Sequence, residues 1–271
     1  MNSHYLCVIL IADPTNQIGK PNITWNCDPN VFIEHKKVWQ KYMNNDKDIL
    51  CLFYNSDKDL EVDYKLDIEN NTITVKGEHS YDGMDVPIKV FKEVNALFSY
   101  DYILHTTSSS FWVLSRLKDE LIYNTPKDKV YKGRSFYHTP VPFVSGSGIV
   151  MSKDVVCILI KSYEYLELNT YNILSTESQK ILELTKIAIH HDPISNDVLI
   201  GLLLDFNNIE LLDIKWWYDF DHNTIDNIHN NLKITDSNNI CHYRIRNDAN
   251  RLYYDTIIMN KLYDYYYKDR I

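Results

Sequence analysis

The feature that most constrains this sequence is a pair of nearly continuous apolar runs, YLCVILIA at residues 5–12 and DILCLFYN at residues 48–55. A strand is apolar throughout, rather than at alternate positions, when both faces of its sheet are covered. Residues 31–45, between the two runs, carry apolar side chains at helical spacing. A strand, a helix and a second strand in this order predict parallel pairing, with helices on the faces of the sheet.

The chain continues in the same pattern. Residues 60–77 predict two short strands around an Asn-Asn turn, and residues 86–99 predict a helix before an apolar strand at 101–106. We therefore predict an α/β fold of the Rossmann type, with a mainly parallel central sheet flanked by helices. Ligands of such sheets bind outside the carboxyl ends of the strands. The polar segments DPTNQIGK (13–20) and TTSSS (106–110) should meet at that edge.

The second half of the chain is predicted to be helical with one late strand. Helical spacing runs through residues 155–187, and residues 190–206 enter a further helix through a turn that contains proline. The sequence NNICHYRIRN (238–247) predicts a strand, and residues 249–268 predict a helix with one aromatic stripe. Because there is no internal repeat or low-complexity linker, we expect a single domain over residues 1–271.

The overall charge and the cysteines exclude some classes of protein. Lys and Arg total 28 against 37 Asp and Glu, a net charge of −9, which argues against a nucleic-acid-binding protein. The five cysteines are odd in number and form no CxxC pair, which indicates reduced thiols and no zinc site. No apolar run reaches the ~20 residues of a membrane helix, and the first is too short for a signal peptide. We expect a cytoplasmic protein without a membrane span.

Three segments could carry chemistry, and each has a plainer structural alternative. The glycines of residues 145–148, SGSG, would let the backbone approach a ligand closely, or they form a tight turn before a helix. Asp197 begins an apolar helix, where it could be a general base or an acid favoured by the helix dipole. Arg244, Arg246 and His242 alternate onto one strand face, where they could bind a diphosphate or form ion pairs in solvent.

The order of three motifs adds to this interpretation. YILHTTSSSF, FVSGSGIVMS and NDVLIG, in that order, resemble the β-1,3-galactosyltransferase and fringe group of glycosyltransferases. That family has a strand ending in K-T-D-D-D-x-F, then an SGxGYxLS turn and an EDVxxG helix start. The sequence is still more similar to glycosyltransferases of giant DNA viruses, whose strand ends in something like R-T-N-L-S-S-F. In element order the resemblance covers roughly residues 5–255.

The resemblance implies a GT-A fold and an inverting glycosyltransferase, as a hexosyltransferase of glycan biosynthesis. It would use a nucleotide-sugar donor, with a UDP-sugar as first choice, and a glycan or protein-linked acceptor, in the host cytoplasm if the protein is viral. Residues 1–118 would bind the nucleotide, and residues 119–271 would bind the acceptor and carry catalysis. Asp197 matches the family's catalytic base.

Motif positions and nearby cationic candidates together give the predicted binding residues. The donor-binding set is Ile11, Ala12, Asp13, Lys20, Glu78, Thr106, Thr107, Ser108, Ser109, Ser110, His242, Arg244 and Arg246. The acceptor-binding set is Phe143, Ser145, Gly146, Ser147 and Gly148.

One departure from the family concerns the metal. Thr107 and Ser109 occupy the two acidic positions that hold a divalent cation on the donor diphosphate, and hydroxyls are weak ligands for Mg²⁺ or Mn²⁺. We therefore expect no metal requirement, unless Asp13, Asp101 or His242 replaces the missing acids. The hydroxyls and the cationic side chains would then stabilise the charge of the leaving group.

Two alternatives stay open. The first is a catalytically degenerate GT-A-like protein that only binds, although the retained Asp197 favours an enzyme. The second is an unrelated α/β nucleotide-binding protein such as a nucleotidyltransferase. That class needs a pair of metal-binding acids near the phosphates, and no motif here supplies one.

Overall fold

The computed structural model describes residues 4–20, 27–78, 83–137, 141–169, 195–220, 232–233, 235–236, 238–246 and 250–268. The strands are β1 (His4–Ala12), β2 (Ile49–Asp57), β3 (Tyr64–Asp67), β4 (Thr72–Lys76), β5 (Ser99–Thr107), β6 (Ser110–Trp112), β7 (Tyr131–Gly133), β8 (Ser135–Phe136), β9 (Phe143–Val144), β10 (Ile149–Ser152), β11 (Leu211–Asp213), β12 (Trp217–Phe220) and β13 (His242–Ile245). The helices are α1 (Asn30–Tyr42), α2 (Asp85–Leu97), α3 (Leu114–Tyr123), α4 (Lys153–Asn169), α5 (Asn196–Phe206) and α6 (Arg251–Tyr263).

In the described part of the chain, the central sheet has eight strands in the order β11-β7-β10-β5-β1-β2-β4-β3. The strand β1 lies at its middle and pairs in parallel with both β2 and β5. The pairs β2–β4 and β7–β11 are also parallel, whereas β10 and β3 run antiparallel to their neighbours. The prediction of an α/β fold with a mainly parallel central sheet is confirmed.

Helices cover both faces of this sheet, which explains the continuous apolar run of β1. Cys7, Ile9 and Ile11 pack on one face against α1, α3 and α6. Val8 and Leu10 pack on the other face against α2, α4 and α5. Because successive side chains of a strand point to opposite faces, both sets are apolar only when both faces are buried.

Most of the predicted elements are present. The hairpin β3–β4 turns at residues 70–71, where Asn71 has a φ of 49°, a value that Asn tolerates. The helix predicted from residue 155 is α4, and residues 170–187 of that prediction lie outside the described residues. A second sheet, β12-β13-β6, was not predicted, and it places Phe111 and Trp112 beside the late strand. Across the described segments, no helix has the length and apolarity to cross a membrane.

The C-terminal segment packs under the second sheet. A π-helical turn, Asp264–Lys268, follows α6. The Tyr267 hydroxyl accepts a hydrogen bond from Leu114 N at 2.8 Å and donates one to the Trp112 carbonyl at 2.9 Å. Its ring stacks on Tyr42 of α1, with the centroids 4.7 Å apart. The tyrosines at the end of the predicted aromatic stripe therefore pack on the core, whereas Tyr253 near its start is exposed.

The carboxyl ends of the three inner strands meet at one edge. Ala12 of β1 pairs with Tyr54 of β2 and with Thr107 of β5. The strand β10 pairs with β5 through Ile149 and His105, which brings the turn before β10 to the same edge. The sheet thus gathers three separate polar segments in one place.

Candidate functional site

A cleft of about 290 Å³ opens at this carboxyl edge. The two polar segments that the sequence places there line it through Asp13 and residues 107–109, and residues 145–147 of the SGSG turn join them. The first turn of α5 adds Asp197, and β13 with the residue after it adds two arginines. The geometric expectation of one shared cleft is therefore met.

The five consecutive hydroxyl side chains divide into two groups. Thr106 and Ser110 are fully buried and donate hydrogen bonds to the Ser147 carbonyl, at 2.5 and 2.8 Å. The Trp112 indole N–H donates to Thr106 Oγ1 at 3.2 Å. These two hydroxyls hold the SGSG turn against the end of β5 and do not line the cleft.

Residues 107–109 form the cleft side of the cluster. The hydroxyl oxygens of Thr107 and Ser109 lie 3.1 Å apart, and both residues line the cleft. The backbone around them is fixed, because the Ser108 carbonyl accepts a bond from the Trp39 indole N–H at 3.1 Å. Thr107 and Ser109 therefore lie together at the mouth of the sheet.

The SGSG turn needs its glycines for different reasons. A Cβ on Gly148 would lie 2.7 Å from Trp112 Cζ2 and 3.1 Å from His242 Cε1, so Gly148 makes room for that aromatic pair. The N–H of Gly146 instead donates to Asp197 Oδ2 at 2.9 Å. Ser145 and Ser147 share a hydrogen bond of 3.0 Å between their hydroxyls. Gly146 and the two serines line the cleft, whereas Gly148 lies outside the cleft lining, next to Trp112 and His242.

Asp197 lies in the first turn of α5, held by three hydrogen bonds. Besides the Gly146 N–H, its carboxylate accepts bonds from the Ser195 hydroxyl and from the Val198 N–H at 3.0 Å. These contacts orient the carboxylate at the cleft wall. Both interpretations of this residue therefore stay compatible with its position, as a first-turn acid and as a base.

The cationic side of the cleft differs from the prediction. Arg244 Nη1 lies 3.4 Å from Ser145 Oγ, and Arg246 also lines the cleft. His242 instead stacks on Trp112, with the ring centroids 4.2 Å apart and the planes at 4°. Burial, together with the nearby Arg244, lowers the pKa of His242 to about 3, so the ring is neutral at pH 7. The expectation of three cationic groups is corrected to two arginines and a neutral, buried histidine.

Other predicted binding residues also lie outside the cleft lining. Ile11 is buried against the helices α1, α3 and α6, whereas the next residue, Ala12, lines the cleft. Successive side chains of a strand point to opposite faces, which explains the difference. Lys20 and Glu78 are exposed and do not line it. Phe143 packs against Gly201 of α5. A Cβ added to Gly201 would lie 2.7 Å from the Cβ of Phe143.

Two of the acids that could replace the missing metal ligands have other partners in the described part of the chain. The Asp13 carboxylate accepts a bond from Lys36 Nζ at 2.6 Å and caps the short helix that follows it. Asp101 pairs with His4 at 3.2 Å, near the start of β5 rather than its end. Within the described ranges, no three His, Cys, Asp or Glu side chains group as metal ligands.

Several cleft residues were not predicted. His105 lines the cleft, its Nε2 is 2.7 Å from the Tyr54 hydroxyl, and burial lowers its pKa to about 4. Asn55 and Arg251 line the cleft as well. His105 lies inside the apolar run YILH, which indicates a core residue. Arg251 starts a helix far along the chain, and only the packing of α6 on α1 brings it here.

No protein-family model and no curated protein sequence matches this chain. Among solved structures it is similar to the crystal structure of the apo-form glycosyltransferase GlyE of Streptococcus pneumoniae TIGR4, with a TM-score of 0.42 and 10% identity. The likeness covers 97% of this chain and 64% of that one, so the chain spans less than two thirds of that protein's length. The residues of the cleft therefore carry what can be inferred about function.

Proposed function

We propose that this protein transfers a sugar from a nucleotide-sugar donor to a hydroxyl of a glycan or protein-linked acceptor. One observation carries the proposal: the SGSG turn contacts both a cation and a carboxylate. Ser145 Oγ lies 3.4 Å from Arg244 Nη1, and the next residue, Gly146, donates its N–H to Asp197 Oδ2 at 2.9 Å. A group for the leaving phosphate and a group for the attacking hydroxyl thus flank the same four-residue turn.

The proposed reaction is a single displacement with inversion. The acceptor oxygen forms a bond to the anomeric carbon while the bond from that carbon to the diphosphate oxygen breaks. Asp197 takes the proton of the acceptor hydroxyl, and the nucleoside diphosphate leaves with the electron pair. Arg244, Arg246 and the hydroxyls of Thr107 and Ser109 stabilise the charge on the leaving diphosphate. The preferred donor is a UDP-sugar.

A second candidate function is binding without transfer. The observation that favours it is the Asp197 carboxylate, whose three hydrogen bonds to Gly146, Ser195 and Val198 account for the residue without any substrate. An acid in the first turn of a helix is stabilised there by the helix dipole. A GT-A-like protein of this kind would bind the donor in the same cleft and leave it intact.

The first test measures donor binding without metal. We expect calorimetry in EDTA to detect binding of at least one of UDP-glucose, GDP-mannose and dTDP-glucose. The affinity measured with Mn²⁺ should differ from the affinity in EDTA by less than about threefold. The physical reason is that hydroxyls and arginines, rather than a hydrated cation, meet the diphosphate. Binding only in the presence of Mn²⁺ would contradict metal-independent binding, and no binding under either condition would contradict the proposed function.

Hydrolysis then separates the enzyme from the binder. NMR of any donor that binds should show slow release of free sugar, with water in place of the acceptor, and an inverted anomeric configuration in the first product. A donor that binds and stays intact with every acceptor tried favours the second candidate function.

A further inference from the structure

The cleft carries an excess of positive charge in a chain whose net charge is −9. Among the described residues, three arginines line it, namely Arg244, Arg246 and Arg251. The carboxylates of this lining belong to Asp13 and Asp197, and the first of these is already paired with Lys36 at 2.6 Å. Arg251 is itself ion-paired with Asp255, so the local excess is smaller than this count, but three guanidinium groups at one cleft suit an anionic ligand.

Arg251 is the least expected of the three, since no motif marks it. It is the first residue of α6, and its guanidinium lies 5.6 Å from the centroid of the Phe32 ring. Its Nε donates to Asp255 Oδ2 at 3.1 Å, and its Nη1 lies 3.6 Å from Cys27 Sγ. These contacts engage Nε and Nη1 of a planar group that carries five N–H donors.

A buried carboxylate lies behind this arginine. The Asp255 and His35 side chains are both fully buried, and His35 Nε2 lies 3.4 Å from Asp255 Oδ2. Burial lowers the pKa of His35, and Arg251 forms an ion pair with Asp255 at 3.1 Å. A buried ion pair is weak evidence for stability, because the cost of desolvating both charges can equal their attraction. What the pair provides is a fixed direction for the guanidinium at the wall of the cleft.

We propose that Arg251 is a third anion-binding residue of the cleft, positioned by the buried carboxylate of Asp255, and that the ligand class is a diphosphate. The inference rests on the proposed function for the identity of the diphosphate, as part of a nucleotide sugar. It extends that function by assigning a residue that the motifs do not mark, and by replacing the charge of a metal ion with a third guanidinium.

The test uses calorimetry on the full chain with inorganic pyrophosphate and with UDP, and uridine as the uncharged probe. Arg251→Gln should weaken pyrophosphate and UDP about 10- to 100-fold, the range for losing a hydrogen bond between charged groups. Uridine affinity should stay within twofold. The control Lys37→Gln removes one positive charge from an exposed position of α1, and we expect it to leave all three affinities unchanged.

Because Arg251→Gln leaves Asp255 buried without its cation, a second variant is needed. Arg251→Gln/Asp255→Asn removes both charges and should unfold at a temperature close to the wild type, yet bind pyrophosphate as weakly as the single variant. Asp255→Asn alone keeps the cation but not its direction, and should lower pyrophosphate affinity without changing that of uridine.

The outcomes separate the two proposals. Pyrophosphate binding that depends on Arg251 in a protein that binds no nucleotide sugar would contradict the proposed function and support the anion site. Wild-type pyrophosphate affinity in the double variant would overturn the role of Arg251, and so would a wild-type protein that does not bind pyrophosphate at all.

Discussion

Asp197 offers the sharpest test at the scale of a single residue. Its carboxylate accepts three hydrogen bonds, and an amide in its place can accept only through one oxygen. We expect Asp197→Asn to lower the rate of sugar transfer about 10²- to 10⁴-fold, the usual cost of losing a general base. Donor affinity, measured by calorimetry, should stay within threefold. The free energy of unfolding should fall by about 1–2 kcal/mol, because one N–H donor loses its acceptor.

A matched control lies on the same helix. Asp205 is exposed in the last turn of α5, eight positions after Asp197 in the sequence, and does not line the cleft. Asp205→Asn should leave both transfer and stability unchanged. If Asp197→Asn loses stability but keeps its rate of transfer, the carboxylate is a structural first-turn acid and the base must be another residue.

The SGSG turn is the structural element on which the cleft depends. We expect Gly148→Ala to destabilise the protein by about 1–3 kcal/mol, since the new Cβ would lie 2.7 Å from Trp112 and force that ring to move. Gly146→Ala is the control within the same turn, because its Cβ would lie no closer than 3.4 Å to any atom of Asp197. Urea denaturation of both variants measures the difference.

A loss of stability in Gly146→Ala equal to that in Gly148→Ala would show that the turn is sensitive to any side chain. The specific contact with the aromatic pair of Trp112 and His242 would then not be the cause.

At this scale the sequence predicts elements better than it predicts side-chain roles. The apolar runs of β1, β2 and β5 identify buried strands, because a short segment that is apolar at nearly every position is typical of a strand covered on both faces. The hydroxyl cluster is different. Which of Thr106 and Thr107 faces the cleft depends on the exact end of β5. It also depends on the hydrogen bond from Thr106 to the carbonyl of Ser147, a residue 41 positions further along the sequence. The short strand β6 gives no signal of its own, since its partner β13 lies far along the chain.

The same limit explains the residues that were missed. Arg251 and His105 reach the cleft only through the packing of whole elements, and local periodicity carries no record of that packing. His242 alternates with two arginines and so is a potentially cationic candidate in the sequence, yet its stack on Trp112 removes it from water.

For the molecule as a whole, buried histidines make stability depend on pH. The pKa of His105 is lowered to about 4 and that of His242 to about 3, from 6.5, chiefly by burial. Between these values and pH 6.5 the unfolded chain binds more protons than the folded one, so stability falls as the pH falls. Each group contributes about 1.4 kcal/mol per pH unit in that window. Urea denaturation between pH 7.5 and about pH 4.5 should show the decline.

A variant isolates the histidine contribution from that of the carboxylates. His105→Gln keeps a polar atom near the Tyr54 hydroxyl but cannot titrate. The slope of unfolding free energy against pH should therefore decrease by about 1.4 kcal/mol per unit between pH 6.5 and about pH 4.5. An unchanged slope would mean that His105 has the same proton affinity in the folded and unfolded chains.

The packing of α1 against α6 and the Tyr267 turn has a consequence for how the protein is made. Residues 30–42 leave the ribosome about 200 residues before their partners at 251–263. In the nascent chain, Tyr42 and Trp112 therefore lack their contacts with Tyr267 until the π-helical turn has been synthesised. The opposite face, where α2 packs on α4, can assemble from segments that emerge sooner. Contacts this distant in sequence close slowly. We expect the unfinished aromatic face to expose apolar surface until those residues are synthesised, as partly folded chains do.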